Sequence, residues 1–524
     1  MTSDKPVSRP ERRDPSNDNA TRAGTTWEAW RASGEVLSRA ARRSGEEARA
    51  VFDTVSPGVV PGAADAALPA RFGDLYRAQA FLWTGAGLAA GERLGRAVPG
   101  LSPNVPGLPS PRALVLGAVA SDLWVGYAAL RERLRWFPGL VRDEDWQLQH
   151  RRGAARVLDA ASGLGGSLIK AGQFASSRPD LLPPAYTETL SELQDRVAPQ
   201  PWSVIEGAVS REIGGPISGA FRSFDPEPIA AASIAQVHRA VLTDGCPVAV
   251  KVKYTGIGRL VEADLSALEG IFEGISRLEP SVRLGPILEY LRWTLPMELD
   301  FVREAEAIGK LRRSIGDRRD VAVPTVVEGL NTERLLVMEL LEGVKITDRE
   351  ALVGAGMDPK GVAELLVDVY AEQIFRRGIL HADPHPGNLL VRLGPDGPAL
   401  VLLDHGLTVS VPDGLAGSLR AMILALEEGD LDALTAGLER AGLRLGPEVD
   451  LETLLGLVGV LLGGEVDGSR GDVGDLGLKL GASVGSIPVE LLLMGRAIGL
   501  LDGITRKLDP DLDTVGIVAR YARG

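Results

Sequence analysis

The segment His381-Ala-Asp-Pro-His-Pro-Gly-Asn388 constrains this chain more tightly than any other. Its two prolines fix φ and remove backbone donors, so the stretch cannot lie inside a helix. Apolar Leu389-Leu390-Val391 follow, and then Val401-Leu402-Leu403-Asp404-His405-Gly406. The pattern reads as two short adjacent strands with polar groups at their mouths. Asp383 precedes Asn388 by five positions, and Asp404 follows it by sixteen. Histidine is scarce, five in the chain, and His381, His385 and His405 fall close together while His150 and His238 lie elsewhere. Three readings follow. The first is a turn-rich loop and nothing more. The second is a zinc site on His381, His385 and His405, although the prolines deny it the helical i,i+4 face. The third is a divalent-cation site, since Asp383, Asn388 and Asp404 carry the hard oxygen ligands that Mg²⁺ prefers.

Composition narrows the field. Of 524 residues, 45% are apolar and 24% charged, so the chain can bury a sizeable core and is not disordered throughout. Lys and Arg number 57 against 70 Asp and Glu, a net charge of −13 that argues against a nucleic-acid binder. One cysteine, Cys246, excludes a disulfide scaffold and a Cys-based zinc finger and suits a reducing cytoplasm. The first 24 residues are polar, with acids at Asp4, Glu11, Asp14 and Asp18, unlike a secretory or transit peptide. Ala80–Ala90, Ala113–Leu130 and Leu454–Gly463 are apolar, but each is too short or, at Asp122, charged. A span needs about 20 apolar residues, so these read as buried or amphipathic helices, compatible with peripheral membrane contact.

Along the chain, Trp27–Thr54, Leu68–Ala97 and about Leu114–Leu164 have helical spacing, separated by Pro/Gly breaks including Pro99–Pro111. Gly165–Pro201 is helical but interrupted at Pro179 and at Pro183-Pro184. Near Phe221 the character changes. Val237–Leu242 and Val248–Val252, joined by Thr243-Asp-Gly-Cys-Pro247, form a hairpin signal. Val321–Val327 and Arg334–Glu339 read as a second pair, with helix over Ile257–Ile315 between the pairs. Helix returns at Pro359–Arg377, and Gly463–Gly481 reads as a flexible loop. This order predicts an α+β, two-lobed enzyme with a helical N-terminal extension.

The Asp-x4-Asn and later Asp-x-Gly spacing is that of the kinase signature. Phosphoryl transfer needs one group to position and deprotonate the acceptor, and oxygen ligands to hold Mg²⁺ on the phosphates. Such a reading demands a strand lysine and a helix glutamate upstream. Val248-Ala-Val-Lys251-Val supplies the lysine, though Lys251 and Lys253 could equally lie on a solvated edge. Glu298-Leu-Asp300-Phe-Val-Arg-Glu304 supplies two candidate glutamates, on different parts of one helix. Arg334–Gly343, with Glu339, reads as a last strand and adenine-contacting hinge. Where a Gly-rich phosphate loop should stand, Ala230-Ala231-Ala232-Ser233 stands instead, and a Cβ bars the close backbone approach that glycine allows.

Together these residues resemble the AarF/UbiB family of atypical kinases, the group associated with coenzyme Q biosynthesis. The resemblance rests on Lys170-Ala-Gly-Gln173 with Arg178-Pro-Asp-Leu-Leu-Pro183, on Ala230–His238, on Glu298-Leu-Asp300, and on His381–Asn388 with Asp404-x-Gly406. It implies a protein-kinase-like fold whose helical extension carries a Lys-x-Gly-Gln motif. The implied layout is a disordered tail (1–26), a helical N-terminal region (27–150), the family-specific extension (151–220), an N-lobe (221–342) and a C-lobe (343–524). It implies ATP and Mg²⁺ as cofactors, Lys251 on the nucleotide and Asp383 as the catalytic aspartate. Asn388 and Asp404 would be metal ligands, with Ala230, Ala231, Ala232, Ser233 and Glu339 near ATP. Lys170, Gln173, Glu298 and Asp300 would occlude the protein-substrate cleft, with Glu304 as the other lysine partner. Family members look like ATPases or lipid kinases acting near membranes on isoprenoid or quinone-like molecules, with protein-kinase activity suppressed. A catalytically silent, nucleotide-binding scaffold is the alternative. This sequence departs from the pattern at His405, where phenylalanine is commoner, and it shows no C-terminal membrane span. Residues 1–110 match nothing in the pattern.

Overall fold

The computed structural model describes residues 111–523 apart from 137–138, 140, 177–181, 195–198, 279–283 and 444–488. The expected tail, the two earliest helices, the Arg178–Leu181 part of the extension motif and the Gly463–Gly481 loop lie outside the described residues. What is described packs as two units, residues 111–172 with 262–278, and 173–261 with 284–523.

In the first unit the expected Leu114–Leu164 helix is two helices, α1 (Pro111–Trp136) and α2 (Asp143–Leu164), packed on each other. α1 is apolar through its middle, so its one acid there, Asp122, requires a cation. Arg156 of α2 supplies it at 3.5 Å. Gly126 lets the helices approach, because a Cβ there would come within 2.1 Å of Gln149 Nε2. Next to it, the Tyr127 hydroxyl and His150 Nδ1 share a hydrogen bond of 2.7 Å. At the start of α3 (Ser167–Ser176), the Ser167 hydroxyl donates to the buried carboxylate of Asp264.

The second unit begins with α4 (Pro184–Leu190) and α5 (Trp202–Glu212), each started by a proline-bearing turn. β1 (Phe221–Ala231), β2 (Ala235–Leu242) and β3 (Pro247–Lys253) then form an antiparallel meander. The β2–β3 turn works because Gly245 takes φ +94, while the Asp244 carboxylate accepts the Cys246 N–H at 2.9 Å. After α6 (Ile257–Leu278), whose residues from 262 onward belong to the first unit, come α7 (Gly285–Glu298) and α8 (Phe301–Ser314), then β4 (Val321–Ala322) and β5 (Leu335–Glu339). β5 closes the meander as its fourth strand, in the order β1-β2-β3-β5.

The expected Val321–Glu339 hairpin does not form as such. Pro324 has no N–H to give a ladder. β4 pairs in parallel with a later strand, and pairing with β5 is confined to one antiparallel bridge, Val326 to Met338, flanked by the Val327 N–H on the Val337 carbonyl at 2.9 Å and the Glu339 N–H on the Thr325 carbonyl at 2.7 Å. The expected single helix through Glu298 and Glu304 is likewise two. α7 stops at Glu298, and Asp300 starts α8 by accepting the Arg303 N–H at 2.9 Å.

The larger lobe gathers around α10. Its elements in chain order are β6 (Val344–Lys345), α9 (Arg349–Gly354), α10 (Pro359–Glu372), β7 (Ile379–His381), β8 (Leu389–Gly394), β9 (Gly397–Leu402) and β10 (Thr408–Ser410). The helices α11 (Asp413–Glu428), α12 (Leu431–Arg440), α13 (Val489–Leu508) and α14 (Thr514–Ala522) complete it. β8 and β9 are the expected hairpin, set in a sheet of order β4-β9-β8-β6, while β7 pairs with β10. α10 carries the buried Val362, Leu366 and Tyr370 and packs on α13 and α14. It ends in a wide turn, Gln373–Arg377, closed by Gly378 at φ +63. No helix among the described residues is long and apolar enough to cross a membrane.

Charge ties α14 to this lobe. Arg318 donates to Asp320 at 2.6 Å, Asp368 at 2.9 Å and Glu372 at 2.6 Å. The Tyr521 hydroxyl of α14 donates to Asp368 at 2.6 Å, and the Arg376 guanidinium lies 4.6 Å from the Tyr521 ring. Replacing Arg318 by Met strips three carboxylates of a shared cation. It should lower the unfolding free energy by about 1–2 kcal/mol, in the manner of a partly exposed charge network losing its shared cation. Urea denaturation checks this as a lower midpoint at unchanged slope.

Candidate active site

β3 sets Lys251 opposite Val237 on β2 and Leu336 on β5, with its side chain largely buried. A buried ammonium is costly unless paired, and here it is paired twice. Nζ donates to Glu304 Oε1 at 2.8 Å and Oε2 at 2.9 Å, and lies 3.2 Å from Asp404 Oδ1. Burial alone would lower the lysine's pKa, but Asp404 and Glu304 override it and hold it above its ordinary value. Burial pushes the Glu304 carboxyl up to about 7, against the pull of Lys251 and of the His405 N–H that it accepts. Of the two candidate glutamates, then, Glu304 meets the lysine. Glu298 ends α7 and packs against Gly406, where an added Cβ would stand 3.8 Å from the Glu298 Cα and Cγ.

Asp404 follows β9 with φ +52, the one positive φ outside glycine among the described residues. Such a conformation costs roughly 1–3 kcal/mol and persists where surroundings impose it. The Gly406 N–H, at 3.2 Å from Asp404 Oδ1, helps to fix the carboxylate, which remains 43% exposed. That exposure leaves it reachable by a ligand.

Asp383 and Asn388 lie between β7 and β8. Asn388 Nδ2 donates to the Asp383 carbonyl at 3.2 Å, and the Leu403 N–H donates to the Asn388 carbonyl at 2.9 Å. The Asp383 carboxylate forms a buried ion pair with Arg496 of α13 at 2.8 Å. Arg496 also donates to the Tyr290 hydroxyl at 2.7 Å, and the Tyr290 ring stacks on Phe174 at 3.7 Å between centroids. The sequence reading missed Arg496. Its signal was a lone cation within the apolar run Leu491-Leu-Leu-Met-Gly-Arg-Ala-Ile, which calls for a buried acid.

The remaining candidates are spread out. Ala230 and Ala231 end β1 opposite Val237 and Gln236, and the Ala232 N–H donates to the Ala235 carbonyl at 2.8 Å across the turn that holds Ser233. The N–H of Ala232 is therefore spent on the turn rather than offered to a phosphate. Glu339 stands on the opposite face of β5 from Leu336, hence away from Lys251, and its carboxylate accepts from the Thr325 N–H at 3.1 Å and hydroxyl at 2.9 Å. Asp300 is occupied as the α8 cap. Gln173 Nε2 donates to the Leu193 carbonyl at 3.0 Å, while Lys170 belongs to the first unit.

The zinc reading fails. Among the described residues, no three His, Cys, Asp or Glu side chains are grouped to hold a metal ion. His385 Nδ1 accepts the Gly387 N–H at 3.2 Å. The buried His381 uses Nδ1 with the Tyr370 hydroxyl and Nε2 with the Leu403 and Asp404 carbonyls, each at 2.9 Å. It thereby braces the loop that carries Asp404.

His405 is fully buried, with Nε2 3.1 Å from the Leu402 carbonyl and Nδ1 without a hydrogen-bond partner. Protonation would turn Nδ1 into a buried donor lacking an acceptor. Burial, aided by His381 across a ring distance of 5.2 Å, lowers its pKa to about 3. The unfolded chain, with an ordinary histidine, therefore binds more protons between about pH 6.5 and 3, and stability falls as pH drops through that window. By pH 5 the loss should reach about 2 kcal/mol from this group. His405→Phe should remove that part of the acid sensitivity, read as a smaller gap between urea midpoints at pH 7.5 and pH 5; equal gaps would refute it.

Comparison with known proteins identifies the family. Residues 192–437 match the ABC1 atypical kinase-like domain. AarF domain-containing protein kinase 1 of Xenopus tropicalis is 35% identical over 295 residues, covering 56% of this chain and 56% of that protein. An uncharacterized protein of Synechocystis is 31% identical over 400 residues, covering 74% and 68%. Protein ACTIVITY OF BC1 COMPLEX KINASE 7, chloroplastic, of Arabidopsis thaliana is 30% identical over 419 residues, covering 77% and 59%. A Mycobacterium tuberculosis protein solved with erythromycin aligns at TM-score 0.47 and 24% identity, over 70% of this chain and 95% of that one. The chain thus spans about half the length of the frog relatives it matches. The order of the motifs, the kinase-like domain around Lys251 and these relatives together place the chain in the ABC1/AarF family of atypical, protein-kinase-like kinases.

Proposed function

We propose that this chain binds ATP with Mg²⁺ at the Lys251 cluster and acts as an atypical kinase or ATPase. The observation that carries the reading is the sharing of one buried strand amine between a helix carboxylate, Glu304, and a loop carboxylate, Asp404. That is the arrangement through which a kinase fold couples its phosphate-contacting lysine to its metal loop. The donor chemistry fits the ion. Asn388 commits an N–H to the Asp383 carbonyl, which suits its amide oxygen for a metal, and Asp404 adds a reachable carboxylate. Mg²⁺ bound there would neutralise charge on the β- and γ-phosphates. Lys251, held beside Asp404 by Glu304, would contact the phosphates. His381 and the Gly406 N–H hold the loop that carries Asp404 in place.

Asp383 would orient the acceptor hydroxyl and receive its proton. Its ion pair with Arg496 engages one carboxylate oxygen and restrains the side chain, which favours slow turnover on a selected acceptor over general protein phosphorylation. The acceptor class we favour is a lipid or quinone-like phenol at a membrane surface, in keeping with the isoprenoid-lipid associations of the family. The same ion pair, with the Ala232 N–H spent on its turn, supports the second reading, a silent nucleotide-binding switch for lipid-pathway partners.

Turnover separates the two. On the first reading, Mg-ATP yields ADP, faster with anionic liposomes or a quinone-head phenol, and Asp404→Asn should cut ADP release by at least about tenfold, as loss of a transition-state charge contact does. Lys251→Met should also weaken nucleotide binding, seen as loss of the ATP-dependent rise in melting temperature. ADP release that ignores Asp404→Asn would sink this reading; binding without turnover under every condition would favour the second. Ala232→Gly should alter ATP against ADP affinity, because the turn closed by its N–H gains freedom; identical affinities in both proteins would count against a phosphate-facing role.

A further inference from the structure

The loop that carries Asp404 has a second attachment to α8, next to the lysine's partner. Arg303 Nη1 donates to the Gly406 carbonyl at 2.7 Å, and Nη2 donates to the Thr408 carbonyl at 3.0 Å. Its neighbour Glu304 accepts the His405 N–H and grips Lys251. Two consecutive residues of one helix therefore hold the loop from both sides, one through its N–H and one through its carbonyls. The Arg303 N–H itself closes the Asp300 cap, so the helix start and the clamp share a residue. Below, the loop rests on the end of α7 at Gly406, and the Leu407 carbonyl accepts the Ala382 N–H at 3.2 Å.

We propose that Arg303 is a positioning residue that locks the Asp404–Thr408 loop to α8, so that the lysine–glutamate pair and the metal ligand move as one piece. A planar guanidinium suits this task, because its two terminal nitrogens can bridge two carbonyls in a fixed fork, which an ammonium cannot. Asp404 sits at φ +52, held locally by the Gly406 N–H, and the bonds from Arg303 add an outside restraint to that conformation. Where a kinase loop is free, its aspartate can swing between metal-competent and incompetent positions. Here the swing would require breaking two charge-assisted bonds from Arg303 and one into Glu304. The consequence for nucleotide is specific. Loss of the clamp should spare contacts made by Lys251 alone and weaken those routed through the metal ligand.

The metal half of this inference rests on the ATP reading above; the clamp itself does not. The experiment has two arms on the full chain, with Arg303→Met and Arg303→Lys. In nucleotide-free protein, hydrogen exchange at amides 405–408 should quicken by about tenfold or more in both variants, while amides 235–253 of β2 and β3 keep their rates. In the second arm, the Mg²⁺ concentration needed for the ATP-dependent melting shift should rise about tenfold, while the shift given by ATP in excess EDTA stays the same. Unchanged exchange at 405–408 would overturn the clamp. So would a uniform rise through the second unit, or failure of both variants to fold, which would mark Arg303 as a general structural support. If the parent shows no nucleotide shift at all while the exchange arm succeeds, the ATP reading falls and the clamp stands. A clamp seen by exchange with no change in Mg²⁺ requirement would overturn the coupling to the metal.

Discussion

A single ammonium, carried into the interior by β3, sets the terms for this fold. Lys251 cannot be buried alone, and the two carboxylates that compensate it come from different elements, α8 and the loop after β9. The strand sheet, the helix beside it and the larger lobe are thereby held to one point. Packing would tolerate small shifts between these elements; a hydrogen-bonded charge triad with its lysine and glutamate buried does not, because each displacement leaves a charge short of a partner. The strain at Asp404 and the brace from His381 make sense as supports for that point.

The break between α7 and α8 has a similar logic. A continuous helix through Glu298 and Glu304 would put those carboxylates on different faces, with no reason to end near Gly406. Interrupting the chain at Leu299 and restarting it with Asp300 as cap lets α7 abut the loop end-on while α8 presents Arg303 and Glu304 side by side. Lys253, whose ammonium donates to the Leu299 carbonyl at 2.6 Å, satisfies the last turn of α7 from the same strand that bears Lys251.

Much of this was legible from residue order. The β2–β3 turn announced itself through Asp244 and Gly245, and the polar turn before β8 through its prolines. Lys251 could be singled out because an amine in an apolar strand is chemically conspicuous. What escaped were the features decided by tertiary contact. Pro324 interrupts the β-branched run around it, so Val321–Val327 became a two-residue parallel strand followed by a single antiparallel bridge to β5 rather than half of a full hairpin. Capping at Asp300 divided a helix whose periodicity ran on. Arg496 and Arg303 were invisible as partners because their acceptors lie 113 and 103 positions away, and for Arg303 these acceptors are carbonyls, which sequence does not distinguish. The Glu339 carboxylate, turned by strand alternation toward Thr325, is a contact that residue order alone does not announce.

The distance in sequence between Asp383 and Arg496 has a temporal meaning. During synthesis the aspartate, its turn and the β8–β9 hairpin emerge well before α13 does. Until that helix leaves the ribosome and docks, Asp383 lacks its arginine, and the Tyr290–Phe174 stack lacks the hydroxyl partner that anchors it to the larger lobe. The pair between this carboxylate and its arginine is therefore completed only when α13 arrives.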